Sequence, residues 1–139
     1  MKVLVLTSEA ITSAQLREAL GGDVEPEHTE VMVVAPALAQ SPLKFWVGDA
    51  DEAISRAEQV RHETLQELGQ DGVAASGDTG ESDPLEAIAD ALRTFPAERL
   101  VHYTHREPDR RYREDLDVEE VRARFGLPVD QATVEGSAD

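Results

Sequence analysis

The sequence predicts an α/β domain: a three-layer sandwich whose five-stranded parallel sheet runs in the order 3-2-1-4-5, with about four helices around it. Three observations carry that prediction. Short strand-like runs alternate along the chain with helix-like runs, the signature of parallel strands joined by crossovers. The first run, Lys2–Thr7, is continuously aliphatic, as in a strand buried on both faces. Finally, the third run is weakly apolar and the fifth is half polar at Asp130 and Gln131, which suits them to the two edges and favours 3-2-1-4-5 over 2-1-3-4-5.

Taken in order, Lys2–Thr7 is the first strand. Thr12 and Gln15 stand at capping-box spacing and open the first helix, which Gly21-Gly22 stops. Glu30–Ala35, with Val31, Val33 and Val34, is the second strand, closed by Pro36. Ala37–Gly48 is the longest irregular stretch and holds Phe45 and the only tryptophan, Trp46; these aromatics read as anchors on the core or as a lid or partner surface. Asp49 and Glu52 open a long helix with the stripe Ile54, Ala57, Arg61, Leu65 and Leu68, closed by Gly69. Val73–Thr79 is an edge strand. In Ser82-Asp83-Pro84-Leu85-Glu86, Asp83 caps, Pro84 takes the first turn and Glu86 faces the helix dipole. Leu85, Ile88, Ala89 and Leu92 line that third helix, and Phe95-Pro96 ends it. Arg99–Thr104 is the fourth strand, Asp117–Phe125 the fourth helix with Asp117 and Glu120 as its capping pair, and Val129–Val134 the last strand. Residues 1–134 read as one domain and Glu135–Asp139 as a disordered tail.

Composition narrows the function classes. The 139 residues contain no cysteine, which removes thiol catalysis, Cys-ligated zinc, iron–sulfur clusters and disulfides. A net charge of −16 repels nucleic-acid phosphates and anionic lipid, so neither nucleic acid nor membrane is expected as a partner. Lysine occurs only at Lys2 and Lys44. No apolar run approaches the roughly 20 residues that span a bilayer, and the short run after Met1 lacks a signal peptide's features, so a cytoplasmic location is expected.

In the order 3-2-1-4-5 the chain reverses direction between strands 1 and 4, and a ligand belongs outside their carboxyl ends. The walls of that cleft are Thr7, Ser8 and Glu9 on one side and Thr104, His105 and Arg106 on the other. Neither a Walker loop nor a dinucleotide fingerprint fits Thr7-Ser8-Glu9-Ala10-Ile11-Thr12, which has no glycine and no lysine. A phosphoryl-receiver site fails as well, because its acidic pair is reduced to Glu9 and no lysine lies near the fifth strand.

Among the histidines, His28, His62, His102 and His105, none forms the i,i+4 helical pair of zinc hydrolases, so no metal is expected. His102 and His105 face opposite sides of a regular strand; His102 reads as a packed residue and His105 as a group at the strand tip, able to touch a ligand or act as a general base. Ser8 lacks the Gly-x-Ser-x-Gly elbow and reads as a turn residue. Arg106, Arg110, Arg111 and Arg113 gather at the cleft mouth, where arginine forks could hold an anion, but Glu107, Asp109, Glu114 and Asp115 are interleaved with them.

With this order of elements the chain resembles the universal stress protein family from about Lys2 to Val134. The irregular second crossover before a long helix and the stretch Gly80-Glu81-Ser82-Asp83-Pro84-Leu85-Glu86-Ala87-Ile88, which is similar to the family's Gly-x-Pro-x-x-x-Ile segment, carry the resemblance, together with the spacing from His105 to Leu127-Pro128-Val129. It implies an adenine-nucleotide α-hydrolase-like, Rossmann-like fold, a homodimer paired through the fifth strand, and a stress-linked binding or regulatory role. ATP-binding members carry a Gly-x-x-Gly-x9-Gly-[Ser/Thr] loop after strand 4 and an aspartate at the tip of strand 1. Here Thr104 to Asp117 contains no glycine, and Thr7 and Ser8 stand at that tip. The expectation is therefore a non-enzymatic binding or regulatory domain without a cofactor and without conventional ATP or AMP binding. The alternative is a nucleotide or phosphometabolite binder in which Arg106, Arg110, Arg111 and Arg113 replace the glycine loop around a small anionic ligand. An enzyme using His105 with Thr7 or Ser8 is the third reading.

Overall fold

The computed structural model describes residues 1–21, 24–37, 50–80, 83–105 and 116–134. Five parallel strands, β1 (Lys2–Thr7), β2 (Glu30–Pro36), β3 (Ala74–Gly80), β4 (Arg99–His105) and β5 (Val129–Val134), form one sheet in the order β3-β2-β1-β4-β5. The described residues also hold helices α1 (Ser13–Ala19), α2 (Ala50–Gln70), α3 (Pro84–Leu92) and α4 (Val118–Phe125), and a short 3₁₀ turn at Pro26–His28. The α/β class, the parallel sheet and the strand order are those that the sequence predicts, and the layered arrangement is that of a Rossmann-like three-layer fold.

Alternation along the central strands explains the layers. Val3 and Val5 of β1, with Val31, Val33, Val101 and Tyr103, pack against Ile11, Leu16, Leu20 and Leu68 on one face. Leu4 and Leu6, with Val34 and Leu100, pack against Ala87, Ile88 and Val121 on the other. Register keeps the faces aligned: Val5 lies opposite both Val33 and Val101. β1 is apolar on both sides because both sides are covered.

Local signals set the helix ends. In α1 the Thr12 side chain accepts from Gln15 N while Gln15 Oε1 accepts from Thr12 N at 2.8 Å, a complete capping box. Asp83 caps α3 by accepting from Leu85 N at 3.0 Å, with Pro84 in the first turn. Asp117 caps α4 through Glu120 N at 3.1 Å.

The second helix departs from expectation in two ways. Its buried face is Ala53, Ala57, Val60, Thr64 and Leu68, while Ile54 is 42% exposed. Arg61 and Leu65 of the helix pack closely onto β3 where Gly77 has no side chain: a Cβ on Gly77 would stand 2.9 Å from Arg61 Cγ, 3.1 Å from Leu65 Cδ1 and 3.2 Å from Val33 O. Nor does Gly69 close the helix, which continues to Gln70. Gly72 N donates to Gly69 O and Val73 N to Leu68 O, the paired bonds of a Schellman motif, with Gly72 at φ +81° and Leu68 and Val73 both in the core. Similarly, Pro84, Ala87, Ile88 and Ala91 are the buried positions of α3, whereas Leu85, Ala89 and Leu92 are half-buried.

Phe45, Trp46, the cap Asp49, the arginines 106, 110, 111 and 113 and the tail from Glu135 lie outside the described residues. Among the described residues, no helix is long and apolar enough to cross a membrane.

Candidate functional site

β1 and β4 are adjacent, and the chain reverses between them, so their carboxyl ends are where this topology places a ligand. β1 delivers Thr7, Ser8 and Glu9 there. The segment from Ser8 to Ser13 is pinned at three places. Ile11 is fully buried and its N–H donates to Thr64 Oγ1 at 3.4 Å, Ser13 Oγ donates to Asp71 Oδ2, and Thr12 is committed to the α1 cap. The strand-tip side chains therefore stand on a braced loop.

Thr7 folds that tip back on itself. Its hydroxyl donates to Glu9 O at 2.6 Å and accepts from Glu9 N at 3.2 Å, and its side chain is buried. This local turn sends the Glu9 side chain toward β4, where His105 is the last strand residue. His105 Nε2 lies 2.8 Å from Glu9 Oε1, and His105 Nδ1 lies 3.4 Å from Ser8 Oγ. His105 is only 2% exposed and Ser8 6%. A carboxylate can only accept, so Nε2 carries the proton shared with Glu9, and in the neutral ring Nδ1 is the acceptor facing the Ser8 hydroxyl. The result is a serine–imidazole–carboxylate chain in which the imidazole is oriented by the carboxylate.

Thr104 is buried and in register with Thr133. Strand alternation puts it on the face opposite to His105, and it does not join the Ser8–His105–Glu9 group. His102 shares a register position with Leu6, is buried, and has Gln131 Nε2 3.4 Å from its Nδ1, in keeping with a packed residue. Together with Leu6, Thr7, Ser8, Pro36, Pro84 and Tyr103 it lines a shallow depression at the sheet's carboxyl edge.

Of the sequence-predicted site residues, then, the fold brings Ser8, Glu9 and His105 together, folds Thr7 beneath them and separates Thr104. The reach of Glu9 to His105 was not foreseen. It joins residues 96 apart in sequence, and the only sequence signal for it was that both stand at the ends of adjacent strands. Pro36, expected to close β2, and Pro84, expected in the first turn of α3, are also walls of the depression. Among the described residues no three His, Asp or Glu side chains converge as metal ligands do. Neither the family models nor the curated proteins give a match to this chain.

Proposed function

We propose that the chain is a non-enzymatic, universal-stress-protein-like binding or regulatory domain whose strand-tip cleft does not take ATP in the conventional way. The observation that carries this reading is the closure of the tip on itself. Thr7 is spent on its own turn, and His105 fills the space between Ser8 and Glu9. A phosphate seated there would displace those bonds and meet the Glu9 carboxylate, which repels it. The absence of glycine between Thr104 and Asp117 points the same way, since backbone N–H groups cradle phosphate only where the chain can approach closely. Homodimerisation through β5 belongs to the same proposal. β5 ends the sheet order, and an edge strand offers unpaired backbone groups to a second copy.

Thermal-shift titration with ATP, ADP, AMP and inorganic phosphate, at low and moderate salt, tests the nucleotide part. A ligand held only by the native state raises Tm by mass action. The expected result is no shift with any of the four. A shift at millimolar nucleotide that disappears with salt would replace this reading with the arginine-based phosphate site, and Arg110→Ala with Arg111→Ala would then abolish it. Sedimentation of the same protein tests the dimer, which a monomer at all concentrations would remove.

A further inference from the structure

The Ser8–His105–Glu9 group carries chemistry that a binding domain does not need. We propose that Ser8 is a covalent acyl acceptor, activated by His105 as general base and fed by neutral activated esters or thioesters. The proposal goes beyond the nucleotide reading and does not depend on it.

The geometry supplies the parts in order. Glu9 Oε1, 2.8 Å from Nε2, fixes the ring and stabilises the imidazolium that proton uptake creates. Nδ1, 3.4 Å from Ser8 Oγ, is placed to take the hydroxyl proton. That separation is long for a hydrogen bond, and such contacts tighten when the reacting partner is bound. In the step itself Ser8 Oγ attacks the carbonyl carbon, forming the new C–O bond as its proton passes to His105 Nδ1. The bond to the phenolate or thiolate leaving group breaks, and that group departs with the proton from Nδ1. The neutral imidazole is restored, the acyl group remains on Ser8, and no oxidant or further reactant is needed.

Two observations select the donor class. Glu9 places a carboxylate within the group, and the chain carries −16 overall, so a neutral ester approaches more readily than a phosphoryl or sulfonyl anion. Ser8 also borders the shallow depression lined by Leu6, Thr7, Pro36, Pro84, His102 and Tyr103, the side from which a donor would have to reach it. His105 is 2% and Ser8 6% exposed, so the ester and any hydrolytic water alike reach the pair only as the strand tip opens, and both acylation and its reversal by water are expected to be slow.

The test is incubation of the full chain with p-nitrophenyl acetate, followed by intact mass and peptide mapping. The expected outcome is one acetyl group, on Ser8. Ser8→Ala should abolish it, and His105→Gln should slow it by about 100-fold or more, the usual range for a positioned general base. Acetylation confined to Lys2, Lys44 or the amino terminus, with Ser8 unmodified, would overturn the proposal. Should the His105 variant fail to fold, the wild-type protein still decides. An acylation rate that levels off once His105 is neutral supports the base, and a rate that climbs in proportion to hydroxide overturns it.

Discussion

Tyr103 shows how one side chain ties the site's strand to its neighbour. It is buried in β4, and its hydroxyl donates to Gln15 O of α1 at 3.1 Å. Burial, with the Glu18 carboxylate adding to it, pushes its phenol well above the ordinary value of about 10. In the unfolded chain the phenol ionises near that ordinary value, so above about pH 10 the unfolded state binds fewer protons than the folded one and stability falls as pH rises. The contribution is fully present below about pH 10. Tyr103→Phe removes both the hydrogen bond and the titration. Its stability deficit, about 1 kcal/mol at neutral pH, should therefore shrink through the alkaline range when melts of the two proteins are compared. A deficit that stays constant there would mean that the folded phenol titrates like a free one. At this scale the candidate site was only partly legible. That Thr7, Ser8, Glu9 and His105 meet follows from topology, because parallel strands put their carboxyl ends together. Which atoms join does not, because it depends on the Thr7 hydroxyl folding back on Glu9 and on the loop path that Ile11 and Thr64 fix.

At the scale of elements, β1 and β5 have the ends that the sequence predicts, and β2 and β4 extend one residue further. Continuous aliphatic runs and capping side chains are strong local signals, which is why those strands and the α1, α3 and α4 caps could be read directly. The second helix was harder for a physical reason. Its buried face holds the expected Ala57 and Leu68 but also Ala53, Val60 and Thr64, and a small and a polar residue among these give a weak hydrophobic pattern, whereas the apolar Ile54 is exposed. Its end was misplaced because a glycine inside a helix costs only about 1 kcal/mol relative to alanine, so Gly69 is tolerated. The termination belongs to Gly72, which alone in that turn takes a positive φ, and to the apolar pair Leu68 and Val73. Gly72→Ala should destabilise the protein by about 1 kcal/mol, the lower end of the left-handed penalty for a residue with a Cβ. Gly69→Ala should be neutral or slightly stabilising, because no atom lies within 4 Å of the added Cβ. Urea melts of the two variants check the pair, and equal effects would refute the assignment of the stop to Gly72.

The whole molecule is dominated by its charge: 29 acidic residues against 13 lysines and arginines. Many of the cations are already engaged, as in Arg17 with Glu25 and Glu27, Arg93 with Asp90 and Arg122 with Glu119. These pairs are largely exposed, and each contributes about 0–1 kcal/mol. Salt weakens them, but it also screens the repulsion among the unmatched carboxylates, and the Debye length falls from about 10 Å at 0.1 M to about 3 Å at 1 M. With acids outnumbering cations by more than two to one, the repulsion is the larger sum, so Tm should rise as sodium chloride is added. The less exposed Arg99–Asp130 pair, which links β4 to the edge strand β5, is screened least and should survive. The same reasoning extends to association. Two copies carrying −16 each repel at long range, so pairing through β5 should strengthen with salt even though its backbone hydrogen bonds do not depend on it. Thermal melts and sedimentation across one sodium chloride series measure both. A Tm that falls with salt would mean that the ion pairs outweigh the acid excess. A rising Tm without any increase in dimer would separate the two effects, leaving the fold as the beneficiary of screening and removing the edge-strand dimer.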